Sequence, residues 1–212
     1  MSAMQPFTSL TAKAVPLEIA KIDTGMILPG RFMRLHRRPG HDYHNAFLHD
    51  LRFDEKGVPR PDFPLNQPAY RDALIVVTGA DFGCGSSREG AAFAVKDYGF
   101  RALIGPSFAE IFYGNCLQNG ILPVVLPEKA VAGIWAQLRG EPGAELTIDL
   151  PEQVVIDAGG TRHAFDINAL RKERLVNGID DIDVTLQHKP AIDGFEEKRR
   201  RAFPWLPVAT NI

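Results

Sequence analysis

Three short apolar runs, at 73–77, 100–104 and 121–126, punctuate the middle of the chain. Apart from Arg101, each is continuous rather than alternating, the pattern of a strand covered on both faces. The segments between them, 91–98 and 107–118, have helical composition. They end at Gly99 and at Asn119-Gly120, residue types that stop a helix in the left-handed conformation. Strand, helix, strand, helix, strand with short connections predicts parallel pairing and right-handed crossovers. From Leu146 the pattern changes to alternating segments at 146–150, 154–156 and 162–167, which predict an antiparallel meander turning at Gly159-Gly160. Helices are expected near 168–176 and 190–201. Upstream, 15–20 reads as a first strand, 23–30 as a loop, and 50–72, with several prolines, as an extended connection. Residues 1–14 read as a loosely held, flexible tail, so that 15–206 forms one domain.

Composition narrows the class. With 212 residues, 45% of them hydrophobic and 24% charged, the chain has material for one globular core. A net charge of −2 gives no nucleic-acid footprint and no membrane-surface face; Lys198-Arg199-Arg200-Arg201 reads as the solvated end of a terminal helix. No apolar stretch approaches the ~20 residues of a membrane span, and no charged segment followed by an apolar core opens the chain. A cytoplasmic protein with reduced thiols is expected. Its two cysteines, Cys84 and Cys116, are too few for a disulfide framework, an iron–sulfur cluster or a structural zinc.

Chemistry concentrates in 81–93, Asp81-Phe82-Gly83-Cys84-Gly85-Ser86-Ser87-Arg88-Glu89-Gly90-Ala91-Ala92-Phe93, which joins the strand at 73–77 to a helix. Gly83 and Gly85 permit a tight turn and close approach of a ligand. The first amides of a helix favour an anion, and Arg88 supplies a planar fork for a carboxylate. Ser86-Ser87-Arg88-Glu89 also has capping-box spacing with Ser86 as N-cap, and Ser107 to Glu110 repeats it. Capping requires one hydroxyl but neither the glycines nor Arg88. The two helix starts should open on one sheet edge, at the carboxyl ends of the strands where α/β proteins bind ligands. Phosphate-loop, dinucleotide-loop and nucleophile-elbow spacings are all absent here. A second polar stretch, 31–44, carries four arginines and three of the six histidines. Interrupted by Pro39-Gly40, it lacks the helical spacing of a metal site and reads as an anion-recognising loop.

Asn66-Gln67-Pro68, Phe82 through Glu89, Pro106-Ser107-Phe108-Ala109-Glu110-Ile111-Phe112-Tyr113-Gly114-Asn115-Cys116 and Asn119-Gly120-Ile121-Leu122-Pro123 together closely resemble the small subunit family of 3-isopropylmalate dehydratase. That family is the detached swivel domain of the aconitase superfamily. The resemblance spans roughly 15–206 and implies a swivel-like β/β/α three-layer fold, with the parallel βαβαβ core and antiparallel meander already predicted. Two positions depart from the family pattern: Gly90 replaces a usual His, and Asp23-Thr24-Gly25 replaces an Asp-Thr-Asp triplet.

What the resemblance implies is a hydro-lyase active only with a large subunit, in a heterodimer or heterotetramer. Ser86 would be the base, Ser87 and Arg88 would hold the substrate carboxylate, and Arg34 and Leu35 would lie on the substrate-recognition loop. Dehydrating a 2-hydroxy acid also needs a Lewis acid, and this chain has no ligand set for one. The family places a 4Fe-4S cluster in the large subunit, so none is expected here. Apolar Phe32, Met33 and Leu35 beside Arg34 suggest an apolar substituent, as in an isopropylmalate or methylmalate, and the resemblance makes isopropylmalate, within leucine biosynthesis, the leading expectation. A paralogue acting on citraconate, methylmalate or 2,3-dimethylmalate is the alternative within the class. A non-catalytic regulatory subunit would be expected to lose Ser86 or Arg88, and a serine hydrolase would need a His–Asp pair that no elbow supplies.

Overall fold

Strand β1, Ser9–Leu17, is where the two halves of the sheet meet in the computed structural model, which describes residues 4–34 and 42–206. Its later residues run parallel to β2, Ile75–Thr78, from Ala14 opposite Ile75 to Leu17 opposite Thr78. Its earlier residues run antiparallel to β5, Glu145–Asp149, from Ser9 opposite Asp149 to Lys13 opposite Glu145. With β3 (Ala102–Gly105), β4 (Leu122–Val125), β6 (Val154–Ile156) and β7 (Arg162–Ala164), the order is β4-β3-β2-β1-β5-β6-β7. The parallel core and the meander predicted above are thus joined in one mixed seven-stranded sheet. The two strand prolines fall where no ladder needs an N–H: Pro123 on edge strand β4, and Pro16 beyond the point where β5 leaves β1.

β1 begins at Ser9, not at 15, so 1–14 is not a loose tail over its described part. Phe7 and Met4 are buried, and the Phe7 N–H donates to the Leu175 carbonyl at 2.8 Å. Polar residues alternate through Ser9-Leu10-Thr11-Ala12-Lys13, so this half of the strand lacks the continuous apolar signature of the others.

Successive residues of the buried strands face opposite sides of the sheet and join two different cores. Val15, Leu17, Val76 and Leu103 join one core with α1 (Thr24–Ile27), α4 (Gly90–Tyr98) and α5 (Glu110–Gln118). Ala12, Ala14, Ile75, Val77, Ala102, Ile104 and Val124 join the other, covered by α6 (Glu128–Gly140). α6 is missing from the elements read above, although Val131, Ile134 and Leu138 recur at helical spacing and all three are buried. α4 ends as predicted, with Gly99 left-handed at φ 113° and its N–H bonded to the Lys96 and Val95 carbonyls.

The predicted loop at 23–30 holds α1 and the start of α2 (Gly30–Met33). From 42 to 74, α3 (His49–Arg52) and 3₁₀ turns at 44–46, 64–66 and 68–70 interrupt an otherwise irregular path. Beyond the meander come α7 (Ala169–Asn177), α8 (Asp181–Leu186) and α9 (Lys189–Ala202); neither of the last two buries a residue. Among the described residues no helix is long and apolar enough to cross a membrane.

Candidate functional site

The turns after β2 and β3 are fastened to each other at the carboxyl edge of the sheet. Asp81, left-handed at φ 58°, donates its N–H to Ser107 Oγ at 2.9 Å, and that hydroxyl donates to Asp81 Oδ1 at 2.8 Å. The Ala109 N–H reaches the Phe82 carbonyl at 3.1 Å. Ser107 is therefore not the cap of α5: the N-cap is Ala109, which makes no side-chain capping bond. The spacing is that of a capping box, but the Ser107 hydroxyl is committed across the sheet edge instead.

Phe82 is buried and meets Phe108 and Phe112 edge-on. Gly83 follows at φ 78°, and a Cβ there would lie 2.2 Å from Phe112 Cγ. Only glycine fits both that conformation and that space. Its N–H donates to the Ile22 carbonyl at 2.8 Å, and the Thr24 N–H donates to the Cys84 carbonyl at 2.9 Å. Residues 22–24 thus bridge 83–84 in parallel, which brings α1 under the serine turn. Asp23 caps α1, accepting the Met26 N–H at 2.8 Å.

The consequence is a fixed Ser86. Its Oγ lies 2.8 Å from Thr24 Oγ1, and its N–H donates to the same oxygen at 3.2 Å. Thr24 is only 2% exposed, whereas Ser86, Ser87 and Arg88 are exposed on the turn. The expected capping box does not form. α4 starts at Gly90 behind the N-cap Glu89, which makes no side-chain capping bond. Ser86 is held in non-helical backbone by Thr24, and Glu89 turns away to accept from Asn119 Nδ2 at 3.2 Å. The α4 dipole acts within about its first turn, so Ser86, three residues ahead of the N-cap, gains little from it.

α2 lies against the same turn, with Arg88 Nη1 3.7 Å from Met33 Sδ. Arg34, the C-cap residue of α2, is exposed; Leu35 lies outside the described residues. Arg31 is otherwise occupied, donating to Asp50 through both terminal nitrogens, Nη1 at 2.9 Å from Oδ2, with its guanidinium over the Phe32 ring. The hydrogen bond from Arg31 holds the Asp50 carboxyl at about 2 against the opposing effect of burial. At the two departures from the family pattern, a Cβ on Gly25 would sit 3.1 Å from Asp23 Oδ1, and one on Gly90 would sit 3.0 Å from Leu28 Cδ2. A Cβ at 25 would press on the carboxylate that caps α1, while a Cβ at 90 would meet the tip of a leucine.

An iron–sulfur cluster does not fit this chain's own donors. Cys116 is fully buried and its thiol is pushed well up by burial, while Cys84 is half-buried in the turn. Among the described residues no three His, Cys, Asp or Glu side chains gather to hold a metal. Ser86, Ser87 and Arg88 therefore share one exposed turn, with Met33 of α2 against it and Arg34 following. Thr24 escaped the sequence reading as a contributor. It stands 62 residues from Ser86, and only the glycine-rich turn hinted at the approach of another segment.

Comparison with known proteins agrees across the chain's length. The aconitase C-terminal domain matches residues 4–129 and the LeuD_N family residues 132–169, while residues 181–209 match the C-terminal domain of the 3-isopropylmalate dehydratase small subunit. The chain is similar to the 3-isopropylmalate dehydratase small subunit of Rhodospirillum rubrum, 48% identical with 99% of this chain and 100% of that one covered. It is 47% identical to the protein of that name from Leptothrix cholodnii, with coverage of 96% and 98%. The solved structure of a 3-isopropylmalate dehydratase from Methanocaldococcus jannaschii shares the fold, with a TM-score of 0.62 at 24% identity over 89% of this chain and 99% of that one. With identity near one half over almost the full length, and a domain specific to small subunits at its C-terminal end, the chain belongs to the 3-isopropylmalate dehydratase small subunit family.

Proposed function

We propose that this chain is the small subunit of a cytoplasmic isomerising hydro-lyase that interconverts 2-isopropylmalate and 3-isopropylmalate by dehydration and rehydration, in leucine biosynthesis. The observation that carries the reading is Ser86: an exposed hydroxyl fixed 2.8 Å from Thr24 Oγ1, two residues before the exposed guanidinium of Arg88. In dehydration, the proton on the carbon beside a carboxylate passes to the Ser86 oxygen while the hydroxyl on the neighbouring carbon departs. Rehydration at the other carbon returns the proton. Arg88 suits a bidentate grip on the carboxylate, with the Ser87 hydroxyl beside it. We assign recognition of the far end of the substrate to Arg34, the C-cap residue of α2, and to Leu35, its neighbour in sequence.

The enzyme is completed by a large subunit, in a heterodimer or heterotetramer, whose 4Fe-4S cluster supplies the Lewis acid for hydroxide departure. This chain holds the substrate and moves the proton. The test is reconstitution. Incubated anaerobically with iron and sulfide, the isolated chain should stay colourless and leave isopropylmalate unchanged, and activity should appear on adding a large subunit. A stoichiometric cluster on this chain alone, or turnover without a partner, would overturn the two-subunit assignment.

A further inference from the structure

We infer that Thr24 is a positioning residue for the reaction, a built-in donor that holds the Ser86 oxygen in its deprotonated form. The inference rests on the assignment of Ser86 as the base. Thr24 Oγ1 already accepts the Ser86 N–H at 3.2 Å, and it stands 2.8 Å from Ser86 Oγ, an ordinary O–H···O separation. While Ser86 is protonated, either hydroxyl can donate to the other. Once the Ser86 proton has gone to solvent, the alkoxide has none to give, and the hydrogen between the two oxygens must be Thr24's. The same proton stays on Thr24 when Ser86 later takes the substrate's proton, so the contact is stronger in the charged state than in the neutral one. That difference makes the Ser86 alkoxide easier to form, as an oxyanion donor does.

Thr24 is built to hold that position. It is 2% exposed, its N–H is bonded to the Cys84 carbonyl at 2.9 Å, and its own carbonyl accepts the Leu28 N–H at 3.0 Å. Its β-branched side chain has few rotamers to choose from. The arrangement replaces the helix-terminus stabilisation that capping-box spacing would have supplied, since the first turn of α4 lies beyond Ser86.

The experiment uses the reconstituted two-subunit enzyme. Thr24→Val keeps the shape and removes the donor. kcat should fall by about 10- to 100-fold, the range for a hydrogen bond to a charged group, with KM little changed. The rising limb of kcat/KM should move about one to two pH units higher, because a less stabilised alkoxide forms later. Thr24→Ser should restore both, and Thr24→Ala should repeat the Val result should valine disturb packing. In a Ser86→Ala background, Thr24→Val should cause no further loss. A pH profile that does not move, or a loss that adds to that of Ser86→Ala, would overturn the role of Thr24. Near-parental turnover by Ser86→Ala itself would instead remove the serine base, and the two failures are read from different variants.

Discussion

The hydroxyl of Ser107 both donates to Asp81 Oδ1 at 2.8 Å and accepts the Asp81 N–H at 2.9 Å, so one side chain clamps the turn after β2 to the turn after β3. Asp81 is left-handed at φ 58°, a conformation that Asp and Asn tolerate better than most residues. Ser107→Ala should therefore cost on the order of 1 kcal/mol, the usual worth of a hydrogen bond. Asp81→Asn should be close to neutral, since its amide oxygen can still accept, whereas Asp81→Val should cost more than Ser107→Ala because a β-branched residue is strained at positive φ. Chemical denaturation of the three variants checks the order. An Asp81→Val chain as stable as Asp81→Asn would mean that backbone strain at this turn is relieved elsewhere.

Gly83 and Gly85 look alike in sequence and differ in space. A Cβ on Gly83 would meet Phe112 Cγ at 2.2 Å, at φ 78°; one on Gly85, at φ 99°, would find only ordinary contacts from 3.4 Å outward. Gly83→Ala should combine conformational strain with overpacking of an aromatic core, a loss on the order of 3 kcal/mol or more. Gly85→Ala should show the strain alone, roughly 1–2 kcal/mol. Equal melting temperatures for the two variants would contradict this distinction.

These glycines also mark how far local sequence reaches. The strands at 73–77, 100–104 and 121–126 were legible because a strand buried on both faces has no polar alternation to hide it, and β2, β3 and β4 lie there within two residues. The serine turn was legible as an exposed connection, because glycines and hydroxyls that follow an apolar run mark a tight turn at a strand end. Both capping boxes were misread for one reason. Spacing shows which amides a hydroxyl could cap, but not that Ser86 is already engaged by Thr24 or Ser107 by Asp81, partners 62 and 26 residues away. The first half of β1 was hidden by its alternating polar positions, whose side chains include Thr11, bonded to Thr147 across the ladder at 2.8 Å.

Asp157 offers a pH test remote from the site. Burial raises its carboxyl, but the His163 ring, the Thr161 N–H and Gln137 together outweigh burial and hold it below the ordinary carboxylate range. His163 Nε2 lies 2.9 Å from Asp157 Oδ2, at the turn that joins β6 to β7. A carboxyl whose folded pKa is depressed stabilises fully above its unfolded value, about 3.9. That contribution is lost as pH falls through the folded value. Denaturation midpoints should therefore decline below about pH 5 more steeply in the parent than in Asp157→Asn, whose amide does not titrate. At neutral pH the variant should be the less stable of the two. Parallel acid limbs would show that Asp157 has no share in the acid sensitivity.

The position of Ser86 ahead of α4 separates chemistry from capping more sharply than spacing allowed. A true N-cap serine replaced by alanine loses about 1 kcal/mol. Ser86 caps nothing, and Thr24 Oγ1 would still accept the residue-86 N–H in an alanine variant. Ser86→Ala should therefore change stability by less than about 0.5 kcal/mol, as exposed substitutions usually do. Its activity in the two-subunit enzyme should nevertheless fall by at least the ~10²–10⁴ typical of a lost general base. Ser86→Asn should behave the same way: its amide oxygen can accept a hydrogen bond from Thr24 but is far too weak a base to take a proton from carbon. Arg88→Lys should lower the rate while the fold survives, because an ammonium cannot reproduce a planar two-pronged grip on a carboxylate. Thermal melts beside steady-state rates decide the matter. A Ser86→Asn enzyme turning over at near the parental rate would move the base to the partner subunit and leave the bond to Thr24 as an anchor for the turn.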